Sequence, residues 1–309
     1  MDFRQLEVFR AVMDSGSATA AARLLRISQP AVSRHLALIE TELGLRLFLR
    51  GGGRLRPTVH AVALYEEAVY AFEGIERVLN LASRMRGHDG GVLRIAAPFV
   101  FGEVMVPRIV ARLAETHRQL RFAAEFGRYE AVAAMLAKRQ VDVGVLKEPI
   151  THPGMATVPL AECGTVCVLP AAHPLARQKS VTVAALCREP LVLLGRETAW
   201  RSDLLALFRR APRMPTVRVD THSASAVVSF VRHGLGVSVL PQLLAAQFIG
   251  QEGGQGFGHG LVLRPFAAAI RHRFVIGTPT ELQASSLVDQ FARAARAVAA
   301  ELMEEGASA

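Results

Sequence analysis

Apolar side chains recur every three or four positions over the first part of the chain, which predicts short amphipathic helices. A first helix is expected over residues 3–14. Ser17 can cap a second helix that ends near Leu25. Ser28 can cap a third helix that ends at Leu43. Two short helices joined by a tight turn, of which the second begins with polar residues, are typical of a helix-turn-helix.

The polar start of the third helix carries side chains that suit contact with DNA. In a helix-turn-helix this part of the second helix enters the major groove. Gln29 can bond the edge of a base, most naturally adenine, and Ala31 or Val32 can touch a thymine methyl group. Nearby hydroxyl and guanidinium groups can bond phosphates, although Ser28 and Pro30 also fit plain capping. The candidate DNA contacts are Ser28, Gln29, Pro30, Ala31, Ser33 and Arg34.

A glycine-rich hairpin is predicted after the third helix. Residues 50–54 have the sequence Arg-Gly-Gly-Gly-Arg, which suits the tip of a wing laid over the DNA backbone or the minor groove. Seven arginines but only two glutamates lie within residues 23–60, a charge density that a phosphate-tracking surface needs. A solvated basic face is the alternative interpretation. The candidate wing contacts are Arg50, Arg54 and Arg56.

A long helix is predicted from residue 59 to about residue 86, with Thr58 as its cap. A helix of about 28 residues spans roughly 40 Å, so a small domain cannot bury its whole apolar stripe. The helix is therefore expected to pair with its twin in a second chain. Packing on the chain's own C-terminal part is the alternative. The stripe consists of Val62, Tyr65, Val69, Phe72, Ile75, Leu79, Ala82 and Met85.

Strand and helix patterns alternate after Gly91, which predicts an α/β architecture with open, mostly parallel sheets. A glycine-rich loop is expected at Gln251–Gly260. Cys163 and Cys167 are expected in the core, on one face of a single strand. The expected strands are 92–97, 120–126, 142–145, 164–169, 190–194, 216–219, 236–240, 261–263 and 273–276, and the expected helices are 104–117, 131–138, 200–210, 223–232 and 282–303.

Composition narrows the class of protein. Apolar residues make up 51% and charged residues 20%, so the chain can bury sizeable cores. The net charge of +9 indicates an anionic partner, but it does not locate the surface that binds it. Three cysteines without a CxxC spacing indicate neither a disulfide framework nor a zinc cluster. Without a signal peptide or a long apolar run, a cytoplasmic protein that does not cross a membrane is expected.

Residues 1–61 resemble the winged helix-turn-helix of LysR-type transcriptional regulators. Two residues depart from the family pattern: Ala18 stands where Phe is usual and Ala61 where Gly is usual, and neither change removes a base-reading side chain. The segments HPLA, THSASA and VRHGLGVSVLP resemble the branch that controls lysine biosynthesis and opine catabolism. The N-terminal resemblance rests on FRQLEVFRAV, SGSATAAARLL, ISQPAVSRHLALIETELGLRLFLR and RLRPT.

The resemblance implies an α/β fold with an N-terminal winged helix-turn-helix dominated by helices and a two-lobed effector domain similar to type-2 periplasmic binding proteins. It implies double-stranded DNA and a small carboxylated effector as partners, and a homotetramer in which the expected homodimers through the linker helix join. No cofactor or metal is expected. An amino acid or opine-like effector is favoured, with an aromatic or other organic acid as the alternative. The implied domains are residues 1–58, the linker helix 59–87, and the effector domain 91–309, with lobe 1 at 91–160 and 266–303 and lobe 2 at 161–265.

The effector is expected in the crevice between the lobes, where the carboxyl ends of strands meet. Many family members carry a hydroxyl group where this chain has Pro98 and Phe99, so the pocket is expected to be more apolar or to use backbone N–H groups. Ser223 can place a helix N-terminus against a carboxylate, or it can act as a cap alone. Arg128, Lys147 and Glu197 also fit the role of surface charges, and Trp200 can either stack in the crevice or simply pack. The candidates are Pro98, Phe99, Val100, Phe101, Arg128, Lys147, Glu197, Thr198, Trp200, His222, Ser223 and Ser225.

Two other classes of protein fit the sequence less well. A solute-binding protein would share the two-lobed fold, but the helix-turn-helix and the missing signal peptide argue against it. An enzyme is not indicated, because the chain has no G-x-S-x-G, HExxH, P-loop or paired-carboxylate pattern. The favoured function is a DNA-binding regulator whose winged pairs read an interrupted palindrome and whose effector shifts the arrangement of lobes or subunits.

Overall fold

The chain forms two compact units, residues 1–88 and residues 89–309. Each unit has its own hydrophobic core. Among the described helices, none is long and apolar enough to cross a lipid bilayer. The computed structural model describes residues 1–51, 54–85, 91–150, 152–195, 199–249, 259–280 and 286–308.

The first unit contains the predicted helix-turn-helix, hairpin and long helix. The Ser17 side chain accepts the N–H of Ala20 at 3.1 Å and caps the second helix. The Ser28 side chain accepts the N–H of Ala31 at 3.3 Å and caps the third. Gly44 ends the third helix in the left-handed conformation. The elements are α1 (Phe3–Ser15), α2 (Ala18–Leu25), α3 (Gln29–Leu43), β1 (Phe48–Gly51), β2 (Arg54–Pro57) and α4 (Val59–Met85).

The core of the first unit lies where α1, α2 and α3 meet the base of the β1–β2 hairpin. Phe9 is fully buried, and its ring centre lies 5.9 Å from that of Phe48. Val32 is also fully buried, so the prediction that it touches a thymine methyl group is wrong. The helical period places Val32 on the same face as Leu36 and Ile39, which point into the core.

The first half of α4 packs on α1 of the same chain. The ring centres of Phe72 and Phe3 lie 4.7 Å apart, and the Arg10 guanidinium lies 4.3 Å from the centre of the Phe72 ring. Tyr65 donates a hydrogen bond to Asp14. Tyr65 and Phe72 belong to the stripe that was expected to contact a twin helix. In the single chain they contact α1.

The second unit alternates strands and helices, as predicted. Its elements in chain order are β3 (Val92–Pro98), the 3-10 turn η1 (Phe99–Phe101), α5 (Met105–Thr116), β4 (Arg121–Gly127), α6 (Tyr129–Ala137), β5 (Val143–Lys147), β6 (Met155–Cys163), β7 (Thr165–Pro170), the 3-10 turn η2 (Pro174–Arg177), α7 (Val183–Leu186), β8 (Pro190–Leu194), α8 (Ala199–Arg209), β9 (Thr216–Thr221), α9 (Ala224–Arg232), β10 (Ser238–Pro241), α10 (Gln242–Ala246), β11 (Leu261–Pro265), β12 (His272–Pro279) and α11 (Ser286–Ser308).

Each lobe of the second unit has its own sheets. In the first lobe five strands lie in the order β4-β3-β5-β12-β6, and β12 is antiparallel to both of its neighbours. In the second lobe β7 lies antiparallel between β10 and β11, and β8 pairs in parallel with β9. The chain passes from the first sheet to the second at Gly164 and returns after Pro265. One core cluster includes residues of both lobes.

Two strand predictions for the second unit differ from the structure. Strand β6 was not predicted, because Pro159 interrupts its pattern. The structure places Pro159 at a bulge on an edge strand, where a missing N–H is tolerated. Cys163 and Cys167 do not share a strand: Cys163 ends β6, and Cys167 lies in β7 of the other lobe. Both are buried, as predicted. Most of the predicted loop at 251–260 lies outside the described residues.

Candidate DNA-binding surface and effector crevice

One edge of α3 is exposed and polar, whereas the opposite edge is buried. Ser28, Gln29, Pro30 and Arg34 are exposed, and Ala31 and Ser33 are partly exposed. The Gln29 Nε2 donates to Ser33 Oγ at 3.0 Å, so the amide lies along the outside of the helix. An exposed amide at the start of a recognition helix suits bidentate bonding to a base edge. All six predicted α3 contacts are therefore at least partly exposed.

Several other basic side chains of the first unit are exposed. Arg56 is exposed, as predicted. Arg50 and Arg54 belong to β1 and β2 beside the hairpin tip, but their side chains lie outside the described parts of the chain. The acidic Glu42 is engaged by the N-terminal ammonium group. Further exposed arginines of the first unit are Arg23, Arg26 and Arg46.

The crevice of the second unit lies at the carboxyl ends of the strands. β3, β4 and β5 are parallel and end at Pro98, Gly127 and Lys147, so these ends share one edge of the sheet. Phe99 is 62% exposed beside this edge. Phe101 is a correction, because its side chain is fully buried against the edge of the Phe274 ring, with 5.7 Å between ring centres. It belongs to the core and offers no surface to a ligand.

A hydrogen bond crosses the crevice between the two lobes. Ser225, at the start of α9, donates from Oγ to Glu103 Oε1 at 2.8 Å, and Glu103 lies between η1 and α5 of the first lobe. Ser223 caps α9 by accepting the N–H of Ala226 at 3.2 Å, and its oxygen lies 2.9 Å from that of Ser225. Glu103 could not be predicted as a crevice residue, since its partner lies 122 residues away in the chain.

Lys147, one of the predicted crevice residues, has a lowered pKa. Burial lowers the pKa of Lys147 to about 8, and the negative charge of Asp203 in the second lobe opposes that shift. Burial and the neighbouring Lys147 lower the pKa of His272 to about 3, so its imidazole is neutral at physiological pH. Its Nε2 lies 2.8 Å from the hydroxyl of Thr165, which donates to the Ile270 carbonyl at 3.1 Å. A half-buried amine beside this neutral network can attract an anion.

The lowered pKa of Lys147 predicts a stability that rises with pH. The folded chain releases this proton near pH 8, whereas the unfolded chain holds it to about pH 10.5. Stability therefore increases between these pH values, and the burial cost is fully present below pH 8. Lys147→Met should raise the urea midpoint at pH 7 and remove its increase between pH 8 and pH 10. Exposed Lys179 gives the control Lys179→Met, which should leave both unchanged. Equal pH profiles for the two variants would contradict the assignment.

The remaining predicted crevice residues differ in their exposure. Arg128 is exposed at the start of α6, and His222 is exposed before α9. Glu197 and Thr198 lie outside the described residues, and only the backbone of Trp200 is described, in the first turn of α8. A buried ion pair, which was not predicted, joins Arg201 of α8 to Asp220 of β9 at 2.9 Å. Within the described ranges, no three metal-ligating side chains come together.

A helix-turn-helix with a hairpin wing and a two-lobed α/β unit with a central crevice define a DNA-binding regulator that carries a ligand-binding domain. Two family models match the chain. The LysR substrate binding domain matches residues 86–300, and the bacterial regulatory helix-turn-helix protein, lysR family, matches residues 3–61. The chain belongs to the LysR family of transcriptional regulators.

Similar proteins span nearly the whole chain. The transcriptional activator protein LysR of Escherichia coli is 33% identical over 291 residues, covering 94% of this chain and 91% of that protein. The octopine catabolism/uptake operon regulatory protein OccR of Rhizobium meliloti is 29% identical over 294 residues, covering 94% of each. Full-length CbnR, solved with its target DNA, shares the fold with a TM-score of 0.72 at 20% identity, covering 96% of this chain and 100% of that one.

Proposed function

We propose that this LysR-type regulator reads an interrupted palindrome in double-stranded DNA, with one winged helix-turn-helix on each half-site. The observation that carries the proposal is the exposed polar edge of α3, where Gln29 lies between capping and phosphate-binding side chains. Phosphate contacts from Ser28, Ser33 and Arg34 would set the register, and Gln29 would read the base. The protein would act in the cytoplasm, where bacterial DNA lies.

Gln29→Ala should relax sequence choice. We expect the variant to lose ~1–3 kcal/mol on the operator duplex and to keep its affinity for random duplex, because the amide contacts a base rather than a phosphate. Fluorescence anisotropy with the promoter region of its own gene and with a scrambled duplex measures both. Thr41→Ala, at the exposed far end of α3, is the matched control and should change neither affinity. Unchanged discrimination in Gln29→Ala would remove the base-reading role.

A homodimer through α4 is the second part of the proposal. One face of α4 packs on α1, but Val62, Ile75, Val78 and Leu79 remain exposed, between 38% and 66%. An exposed apolar stripe on a helix of 27 residues suits antiparallel or parallel pairing with a second copy. Joining of dimers through effector domains would give a homotetramer. Sedimentation of the full chain and of Val78→Glu tests this arrangement, and an unchanged mass for the variant would contradict it.

A small carboxylated metabolite is the proposed effector. The first turn of α9 offers Ser223, Ser225 and a helix N-terminus, and Lys147 offers a positive charge at the end of β5. OccR, a relative, is named for octopine catabolism, which favours an amino acid or opine-like effector over an aromatic or other organic acid. A thermal-shift screen of the full chain against amino acids, opines and aromatic acids tests the class. The absence of a thermal shift with every carboxylate tested would contradict the proposed effector class.

A further inference from the structure

Glu40 links the recognition helix α3 to the base of the wing. Its side-chain oxygen Oε1 accepts two successive backbone N–H groups, from Leu47 at 2.7 Å and from Phe48 at 3.1 Å. Glu40 lies in the last turn of α3, and Phe48 is the first residue of β1. One carboxylate therefore holds the wing at its entry point, far from the hairpin tip.

The two N–H groups depend on this acceptor. The paired residues of the β1–β2 ladder end at Phe48 and Pro57, and Leu47 lies outside that ladder. The side chains of Leu47 and Phe48 are 1% and 7% exposed, so their backbone lies against the core. A buried N–H without an acceptor costs free energy, and a charged acceptor makes the stronger bond. Glu40 thus fixes the direction in which the wing leaves the core.

Thr58 holds the same short segment from the opposite side. Its hydroxyl donates to the carbonyl of Arg46 at 2.9 Å, and its N–H donates to the carbonyl of Leu47 at 2.9 Å. The Thr58 oxygen also accepts the N–H of Ala61 at 3.3 Å and so caps α4. Residues 46–48, the wing base, are therefore fixed between the last turn of α3 and the first turn of α4.

We propose that Glu40 is a positioning residue for DNA binding, which sets the wing on the duplex backbone without touching DNA. The inference rests on the proposed contact between the wing and DNA. Glu40 is itself unsuited to that contact, because its negative charge would repel a phosphate and its carboxylate is engaged with the wing base. Its effect on DNA passes through Arg50 and Arg54, which the β1–β2 strands carry on either side of the tip.

The salt dependence of DNA binding distinguishes a positioning role of Glu40 from a role in stability alone. Each phosphate contact adds about 0.9 to the magnitude of the slope of log affinity against log salt concentration. Raising the salt from 50 to 200 mM weakens binding about 3- to 4-fold for each contact, so a variant that has lost one contact escapes that factor. A less stable protein lowers the active fraction but leaves that slope unchanged. Anisotropy of the full-length chain on a random-sequence 40-bp duplex provides the slope, and stoichiometric titration at low salt provides the active fraction.

Glu40→Ala should flatten the slope by at least one contact, and Glu40→Gln should restore most of it, because the amide oxygen still accepts both N–H groups. Thr58→Val is a second variant that loosens the wing base with Glu40 intact, and it should flatten the slope as well. Glu42→Ala, on the exposed side of the same helix, is the matched control and should keep the wild-type slope.

The outcomes that overturn the inference are distinct. A wild-type slope in both Glu40→Ala and Thr58→Val overturns it, and so does a Glu40→Gln slope no closer to wild type than that of Glu40→Ala. The double variant Arg50→Ala/Arg54→Ala tests the wing contact itself. If that variant keeps the wild-type slope, the wing does not bind phosphate, and both the proposed wing contact and the positioning role are overturned. If only that variant flattens the slope, the wing contact stands and Glu40 has no positioning role.

Discussion

Replacing Gly236 by alanine should destabilise the second unit by ~3 kcal/mol or more, through backbone strain and overpacking. Gly236 has a φ of +151°, a conformation that side-chain-bearing residues rarely adopt. A Cβ atom there would lie 2.2 Å from the carbonyl oxygen of Pro190 and 2.8 Å from its carbonyl carbon. Both obstacles are backbone atoms, so the clash can be relieved only by moving a strand.

The close approach at Gly236 is part of the second lobe's sheet. The N–H of Val237 donates to the Pro190 carbonyl at 2.9 Å, and the N–H of Val192 donates to the Val237 carbonyl at 2.9 Å. These bonds bring the segment before β10 against β8. A Cβ at Gly236 would push this segment away and break both bonds. The expected cost therefore combines strain with lost pairing of buried backbone groups.

Gly234 provides the matched control for this prediction. It also has a positive φ, +74°, but a Cβ there meets no atom within 4 Å. Gly234→Ala should therefore cost only ~1–2 kcal/mol of left-handed strain. Urea unfolding of the full chain measures the difference, and Trp200, the one tryptophan in the sequence, reports on the second unit by its fluorescence. Equal losses in the two variants would show that the close approach to Pro190 does not matter.

Local signals made the first unit predictable. Ser17 and Ser28 cap their helices through residues three positions away, and Gly44 ends α3 by its own backbone conformation. Such contacts depend on the types of residue that are close in the sequence, so they can be predicted from it. The sequence alone did not show whether Ala31 or Val32 faces outward, because the two are neighbours on α3. The packing of α3 against α1 and α2 buries Val32.

Contacts over long separations were not predictable. Strand β6 stays paired despite Pro159 because the partner strand β12, more than a hundred residues later, accommodates a bulge. Glu103 meets Ser225, and Lys147 neighbours Asp203, only once both lobes have folded. The strand ends that border the candidate crevice could therefore be predicted, while the polar links that cross it required the structure. Phe101 illustrates the same limit, since its burial depends on Phe274 of β12.

Asp220→Ala should destabilise the second unit by ~3 kcal/mol, because it breaks an ion pair of a buried guanidinium. Arg201 is 4% exposed, and its Nη2 lies 2.9 Å from Asp220 Oδ1. This pair joins the first turns of α8 to the end of β9, at the crevice edge of the second lobe. Urea midpoints measured by Trp200 fluorescence give the size of the loss.

Two comparisons establish that the loss reflects a buried charge rather than a missing contact. Ser202→Ala changes an exposed side chain of the same helix and should change stability by no more than ~0.5 kcal/mol. The double variant Arg201→Met/Asp220→Ala removes both charges, so it should recover most of the stability lost in Asp220→Ala. If the double variant is as unstable as the sum of its single changes, the two side chains act independently. In that case the 2.9 Å contact does not account for the stability of the crevice edge.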